Sequence, residues 1–123
     1  MYSRVIIVGH LGADPTLKDT PSGGSVCSFS VADTRKYRVS EEQKVETTWF
    51  RVAVWGKQAP ACAQYLQKGG LVLVEGRLIP DENGGPRIWK DKADQPRASF
   101  EIRADTVRFL SKKEEPEEED EGF

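Results

Sequence analysis

Residues 48–55 read TWFRVAVW, and this stretch alternates strictly between two kinds of side chain. Successive side chains of a β-strand point to opposite faces, so the alternation predicts a strand with two different faces. One face, which carries Phe50, Val52 and Val54, is apolar and is expected to lie in a core. The other face carries Trp49, Arg51, Ala53 and Trp55. Two tryptophans and an arginine are therefore expected to face solvent.

Other segments around this strand have the composition of strands, and one has that of a helix. Short apolar or alternating runs predict strands over residues 5–8, 26–34, 71–78 and 99–109. In the last of these, the apolar phase changes near Asp105, which predicts a bulge. Apolar residues at helical spacing predict a short helix over residues 57–68, and Gly69 follows its last turn.

These elements predict an all-β fold with one helix. Five strands, with a single helix between strands 3 and 4, are the order expected of a Greek-key OB-fold barrel, which binds oligonucleotides or oligosaccharides. An SH3-like barrel is the alternative, but it normally lacks a helix of two to three turns at that place. We therefore predict a five-stranded OB-fold.

The charge of the chain divides into two parts. The 123 residues carry a formal net charge of −2, which argues against nucleic acid at first sight. Residues 1–110, however, hold 16 of the 18 lysines and arginines against 13 acids, an excess of three positive charges, while residues 114–123 hold seven acids and no base. We predict a folded basic domain over residues 1–110 and a disordered acidic tail over residues 111–123.

Several classes of protein and site are not expected. The hydrophobic runs are too short to span a membrane, and no secretory signal is recognised, which predicts an intracellular protein. Cys27 and Cys62 lie in apolar surroundings and are interpreted as buried thiols of a reducing compartment. His10 has no ligand cluster beside it, so we expect no metal and no cofactor. No nucleophile, carboxylate or phosphate-loop motif is found, and the protein is predicted not to be an enzyme.

Exposed aromatic rings among positive charges suggest a surface for unpaired bases. Tyr37 lies in the basic run of residues 35–38, and Trp89 lies in that of residues 87–92. Bases stack on aromatic rings whatever the sequence, and cations neutralise the phosphates between them. Packing against a loop or a second subunit is the alternative for each ring, and Lys18, Lys44 and Lys68 are interpreted as solvated. The predicted phosphate-binding residues are Arg35, Lys36, Arg51, Arg77, Arg87 and Lys90.

Six motifs in order resemble the family of bacterial single-stranded DNA-binding proteins. They are residues 5–15 (VIIVGHLGADP), Gly23-Gly24, residues 48–52 (TWFRV), residues 55–57 (WGK), residues 65–69 (YLQKG) and residues 74–78 (VEGRL). The resemblance covers nearly all of residues 3–110. It implies an OB-fold, usually a homotetramer, that wraps single-stranded DNA without sequence preference in replication, recombination and repair. It places the stacking rings on Tyr37, Trp49, Trp55 and Trp89, and the protein in the cytoplasm, associated with the nucleoid.

The tail departs from the family pattern. Members usually have a long linker rich in Gly, Pro and Gln, and their acidic tip, which docks replication and repair proteins, ends in Pro and Phe. Here the linker is almost absent and a glycine precedes the final Phe123. By the resemblance, Asp120, Glu121 and Phe123 are expected to dock partner proteins. The acidic tail is also expected to compete with DNA for the basic domain.

Two other functions stay open from the residues. An OB-fold adaptor would use the same exposed rings to bind a protein, and an RNA-binding module would stack bases equally well. Strong quenching of tryptophan fluorescence by oligo-dT would favour DNA binding over a protein adaptor. Competition between poly-U and poly-dT would rank RNA against DNA.

Overall fold

The computed structural model describes residues 1–111 of the chain. Within that range it contains seven strands and one helix. They are β1 (Val5–Leu11), β2 (Thr16–Asp19), β3 (Ser25–Val39), β4 (Glu42–Trp55), α1 (Gln58–Tyr65), β5 (Leu71–Leu78), β6 (Arg87–Lys90) and β7 (Pro96–Phe109). The predicted tail, with Asp120, Glu121 and Phe123, lies outside the described residues except for Ser111.

Five of the strands close into a barrel. Strand β1 pairs antiparallel with β5, β5 with β7, β7 parallel with β4, β4 antiparallel with β3, and β3 returns to β1. The closure is short, since only His10 and Leu11 of β1 pair with β3, opposite Ala32 and Val31. The predicted OB-fold barrel is confirmed. The two further strands are short: β2 pairs with β3, and β6 pairs with β7.

The barrel interior is filled by the apolar side chains on the inner face of each strand. The alternation predicted for β4 is confirmed, because Val52 and Val54 are buried and Phe50 packs against the core. Each such side chain contributes about 1.5–3 kcal/mol when fully buried. The buried residues are Ile7, Leu11, Cys27, Phe29, Val31, Val52, Val54, Ala59, Cys62, Leu66, Val72, Val74 and Ile102.

Helix α1 contributes Ala59 and Cys62 to this core and is shorter than predicted. The backbone becomes extended at Leu66, whose side chain is buried. The chain therefore leaves the helix at a residue whose side chain joins the core. Cys27 and Cys62 are free and buried, as expected, and burial raises the pKa of the Cys62 thiol to about 12. Both thiols thus serve as small apolar side chains.

The predicted bulge is present at Asp105. Glu75 pairs with Thr106 and Gly76 with Ala104, so Asp105 has no partner residue on β5. Its carbonyl accepts a hydrogen bond from Nε2 of Gln58 (3.0 Å), and its carboxylate pairs with Arg4 (3.1 Å). A Cβ on Gly76 would collide with the backbone carbonyl of Arg103. Glycine is needed there because the two backbones approach closely at the bulge.

Two ribbons of paired strands project from the barrel. The first, which we call the long ribbon, is the outer part of β3 and β4 over residues 33–48, and it turns at Ser40 with φ of 58°. The second, the short ribbon, pairs β6 with the beginning of β7 over residues 87–99. The sequence predicts a hairpin-like excursion and an exposed segment at these places, and both turn out to be regular two-stranded structures.

No helix among the described residues is long and apolar enough to cross a membrane.

Candidate nucleic-acid interface

The outer face of β4 presents a row of large side chains. Trp49 is 52% exposed and Trp55 is 46% exposed, and Arg51 lies between them, also exposed. Trp55 lies six positions after Trp49, which places the two backbones about 20 Å apart in a strand. The row therefore offers two separate aromatic platforms with a cation between them.

The neighbouring positions on β3 are small, which leaves the row accessible. Val26 lies opposite Trp55, Ser28 opposite Ala53, Ser30 opposite Arg51, and Ala32 opposite Trp49. A shallow cavity of about 250 Å³ opens here, with Ser28, Ser30 and Arg51 in its wall and Lys18 of β2 beside them. Asp14 also lines it, but its carboxylate accepts the backbone N–H of Lys68 (2.8 Å). In protein–DNA contacts, phosphate oxygens accept hydrogen bonds from cationic side chains and from hydroxyl groups.

Each tryptophan of the row is held by a neighbour. The six-membered ring of Trp49 rests on Gly12, where an added Cβ would lie 2.6 Å from Cζ3 of the indole. The guanidinium of Arg103, on β7, lies 5.3 Å from the ring centroid of Trp55. These contacts fix the rings on the surface and leave about half of each side chain exposed.

Positive charge continues across β7 onto β5. Arg103 lies opposite Arg77 in the antiparallel β5–β7 register. Neither arginine forms an ion pair with another residue in the range 1–111. Like charges opposite each other destabilise a sheet, so an anion between these two arginines would relieve a repulsion.

The long ribbon carries Tyr37 on its other face. By strand alternation Lys36 is in phase with Trp49, whereas Arg35 and Tyr37 are in the opposite phase. The Arg35 guanidinium lies 5.4 Å from the Tyr37 ring centroid and 3.8 Å from a carboxylate oxygen of Glu46. Tyr37 is therefore separated from the row on β4 and belongs to an arm that is exposed on both sides.

The short ribbon carries Trp89 on β6, on the same face of the sheet as the outward residues of β7. Nε1 of Trp89 donates a hydrogen bond to Oγ of Ser99 (2.6 Å). On the same phase, Arg87 lies 3.6 Å from the carboxylate of Glu101, which is the β7 residue beside Arg51. Lys90 lies on the opposite face of the ribbon, and its Nζ atom is 3.7 Å from Oδ1 of Asp94. The ribbon thus extends the outer face of the barrel with one ring and one arginine.

A sequence model of the single-strand binding protein family matches residues 2–110. The chain belongs to this family. It is 37% identical over 114 residues to single-stranded DNA-binding protein 1 of Chlorobaculum tepidum, covering 91% of this chain and 67% of that protein. Its fold is similar to the crystal structure of a small single-stranded DNA-binding protein from Streptomyces coelicolor, with a TM-score of 0.72 and 25% identity. That similarity covers 87% of this chain and 93% of the other.

Members of the single-strand binding family are DNA-binding proteins and not enzymes, and this protein binds single-stranded DNA. The resemblance stated from the six motifs and the prediction of a non-enzymatic function are confirmed. Within the family's fold, the outer barrel face and the two ribbons described above are the candidate DNA interface.

The structure brings together some of the predicted site residues and separates others. Trp49, Arg51, Trp55 and Arg77 share the outer face of the barrel, and Arg87 and Trp89 continue it. Arg35, Tyr37 and Lys90 lie in the opposite phase of their ribbons.

Two cations near the candidate interface are not among the site residues predicted from the sequence. Arg103 contacts Trp55 across the parallel β4–β7 pair, a neighbour more than 45 positions away in sequence. Lys18, interpreted from the sequence as a solvated loop residue, is exposed on β2 opposite Val26, and it also lines the cavity beside Arg51. The alternation Arg97, Ser99, Glu101, Arg103 was a signal for a charged outer face on β7. Lys18 gave no such signal.

Proposed function

We propose that this protein binds single-stranded DNA without sequence preference, stacking bases on Trp49, Trp55, Tyr37 and Trp89. Arg35, Lys36, Arg51, Arg77, Arg87 and Lys90 contact phosphates, and we add Lys18 and Arg103 to this set. In this role it protects single strands during replication, recombination and repair in the cytoplasm, associated with the nucleoid. The observation that carries the proposal is the exposed row Trp49, Arg51, Trp55 on the outer face of β4.

The chemistry of that row suits a flexible polyanion with unpaired bases. Aromatic stacking contributes about 1–3 kcal/mol per base and tolerates any sequence. Arg51 between the rings, the hydroxyls of Ser28 and Ser30, and the opposed pair Arg77 and Arg103 supply donors for phosphates along the path. A surface made to bind a protein would not require this spacing of cations between rings.

Titration with oligo-dT, followed by tryptophan fluorescence, tests the stacking. Strong quenching is expected, and the double variant Trp49→Ala/Trp55→Ala should lose about 2–6 kcal/mol of binding free energy if each ring stacks one base. The matched control is Tyr65→Ala/Phe109→Ala, which removes two exposed rings that contact each other away from the interface. Unchanged affinity of the tryptophan double variant would reject the stacking role. Competition by poly-U would rank RNA against DNA.

We further propose that the protein assembles as a homotetramer. The outer phase of β1 carries two exposed apolar side chains, Ile6 and Val8, with Leu73 of β5 opposite Val8. This patch lies on strands away from Trp55 and Arg51, so a second copy could cover it without blocking DNA. Light scattering should give four chains, and Ile6→Glu/Val8→Glu should give a smaller species. A wild-type mass of one chain would reject assembly.

We propose two roles for the acidic tail, the first expected from its charge and the second from the resemblance to the family. Its seven acids compete with DNA for the basic domain, so a protein ending at Ser111 should bind oligo-dT more tightly at low salt. Equal affinity with and without the tail would reject this competition. Phe123, with Asp120 and Glu121, is proposed to recruit replication and repair proteins, which a deletion of Phe123 should abolish in pull-down experiments.

A further inference from the structure

A row of three arginines crosses the outer face of the barrel from Trp55 towards the start of β1. The Arg103 guanidinium lies 5.3 Å from the Trp55 ring centroid, and Arg103 lies opposite Arg77 in the β5–β7 register. The antiparallel β1–β5 register, continued by one position, brings Arg4 beside Arg77. Neighbouring strands lie about 4.8 Å apart, so three steps between strands carry this row from β4 to β1 over roughly 14 Å.

The charges along this row differ in their partners. Nη1 of Arg4 lies 3.1 Å from a carboxylate oxygen of Asp105, and Nη2 of Arg4 lies 3.9 Å from one of Glu75. Arg77 and Arg103 are exposed and form no ion pair with any residue in the range 1–111. Arg4 therefore engages the two carboxylates of this region, while the other two arginines remain available to phosphates.

A cavity of about 370 Å³ opens where the row ends. It is lined by residues 1–4, which precede β1, and by Arg77 of β5 and Asp105 of β7. Tyr2 in this lining is 84% exposed, so most of its side chain is open to solvent. Small-molecule sites have volumes of about 300–1,000 Å³, and the cavity falls within this range. An aromatic ring and an available arginine thus share one cavity at the end of the row.

The outer face of β4 has the same combination, since Arg51 lies there between two exposed tryptophans. Bases stack on such rings, and cations meet the phosphates between them. The other possible occupant of the cavity is a second copy of the chain, seated on the apolar patch of Ile6 and Val8 of β1. Burying an arginine without a partner in such a contact is costly, so Arg77 favours a polyanion.

We propose that Tyr2 stacks one base of the bound strand at the end of the row, with Arg77 contacting the phosphate beside that base. Tyr2 is then a fifth stacking ring, and the DNA path continues from the outer face of β4 across β7 and β5. This inference rests on the proposed binding of single-stranded DNA and adds one subsite to it. Because the subsite is terminal, only a strand long enough to pass Arg103 and Arg77 reaches it.

A series of oligo-dT lengths, titrated against the full chain, tests this position. The lengths run from about 4 to 16 nucleotides, the range of site sizes for one OB-fold. The quantity measured is the ratio of the dissociation constant of Tyr2→Ala to that of the wild type. This ratio should be near one for the shortest strands and rise to about fivefold for the longest, the lower limit for losing one base stack. A ratio that does not change with length would overturn the proposal.

Two further variants separate stacking from other effects of the substitution. Tyr2→Phe keeps the ring and should bind every length as the wild type does. The matched control is Tyr65→Ala, which removes a half-exposed tyrosine that contacts Phe109 away from the row, and it should leave the affinity unchanged. If Tyr2→Phe loses as much affinity as Tyr2→Ala, the hydroxyl and not the ring contacts DNA, and the stacking role is overturned.

Photo-cross-linking locates the base directly. Oligo-dT with one 5-iododeoxyuridine, placed at successive positions, should attach from a terminal position to the tryptic peptide of residues 1–4. Attachment to other peptides alone would overturn the proposal. Light scattering should give the same mass for Tyr2→Ala and the wild type, and a smaller mass would place Tyr2 in a subunit contact instead. Failure of the proposed function would look different, because the wild type would then bind no oligo-dT.

Discussion

The outer face of the barrel and the two ribbons carry the same kinds of side chain but hold them in different ways. Strand β4 within the barrel is paired on both sides, by β3 and β7, and its inner face is packed. The long ribbon has only two strands beyond residue 33 and is exposed on both faces. Exposed aromatic rings thus occur both on a packed strand of the barrel and on two-stranded ribbons that project from it.

The local contacts of the rings reflect this difference. Trp49 rests on the backbone of Gly12, and Trp55 is covered by Arg103 from a neighbouring barrel strand. Tyr37 is contacted by Arg35 of its own strand, and Trp89 by one hydrogen bond within its ribbon. The barrel rings are thus supported by other elements of the barrel, whereas the ribbon rings are supported only within their own ribbon.

The largest difference is expected in stability. Ile102 is 1% exposed in the core, whereas Ile88 on the short ribbon is 66% exposed. Ile102→Ala should lower the free energy of unfolding by about 2–5 kcal/mol because it leaves a cavity. Ile88→Ala should change it by less than about 0.5 kcal/mol. Chemical denaturation measures both, and equal losses would contradict the distinction between barrel and ribbon.

The next largest difference between the barrel face and the ribbons is expected in affinity for DNA. Tyr37→Ala/Trp89→Ala should cost less binding free energy than Trp49→Ala/Trp55→Ala, since the ribbon rings are supported only within their own ribbons and fixing a side chain on binding costs about 0.5–1.5 kcal/mol per residue. The titration with oligo-dT used for the tryptophan pair measures this. A larger loss from the ribbon pair would show that the arms, and not the barrel face, hold the strand.

The support beneath Trp49 can be changed without removing the ring. A methyl group at Gly12 would meet the indole, so Gly12→Ala should displace the ring and weaken oligo-dT binding by about 1 kcal/mol, near the lower limit for losing one stack. Gly24→Ala is the control, because an added Cβ there lies 3.5 Å from Oγ1 of Thr20, an ordinary contact. Equal affinity of both variants would mean that the position of the Trp49 ring is not set by Gly12.

The smallest effect is expected in the salt dependence. Arg51→Gln should flatten the slope of log K against log salt by about 0.7, the value for one phosphate of a single strand. Lys90→Gln should change the slope less, since Lys90 lies in the opposite phase of its ribbon near Asp94. If the two variants behave alike, Lys90 reaches the strand as directly as Arg51 does.

Local pattern predicted much of this molecule. The alternation in residues 48–55 assigned Val52 and Val54 to the core and Trp49 and Trp55 to the surface, and the phase change near Asp105 predicted the bulge. Both follow from the two-residue period of a strand, which needs no knowledge of its neighbours. The helix was predicted too long because the departure at Leu66 depends on a core that other elements build.

The sequence by itself determined which residues face inward, where the strands bend and that the charge is divided between a basic domain and an acidic tail. These properties depend on neighbours along the chain. Only the tertiary structure decided that Arg103 covers Trp55, that Lys18 joins Arg51, and that Tyr37 lies in the opposite phase from Trp49. Such neighbours are set by the register between strands distant in sequence, and that register is fixed only when the barrel closes and its core packs.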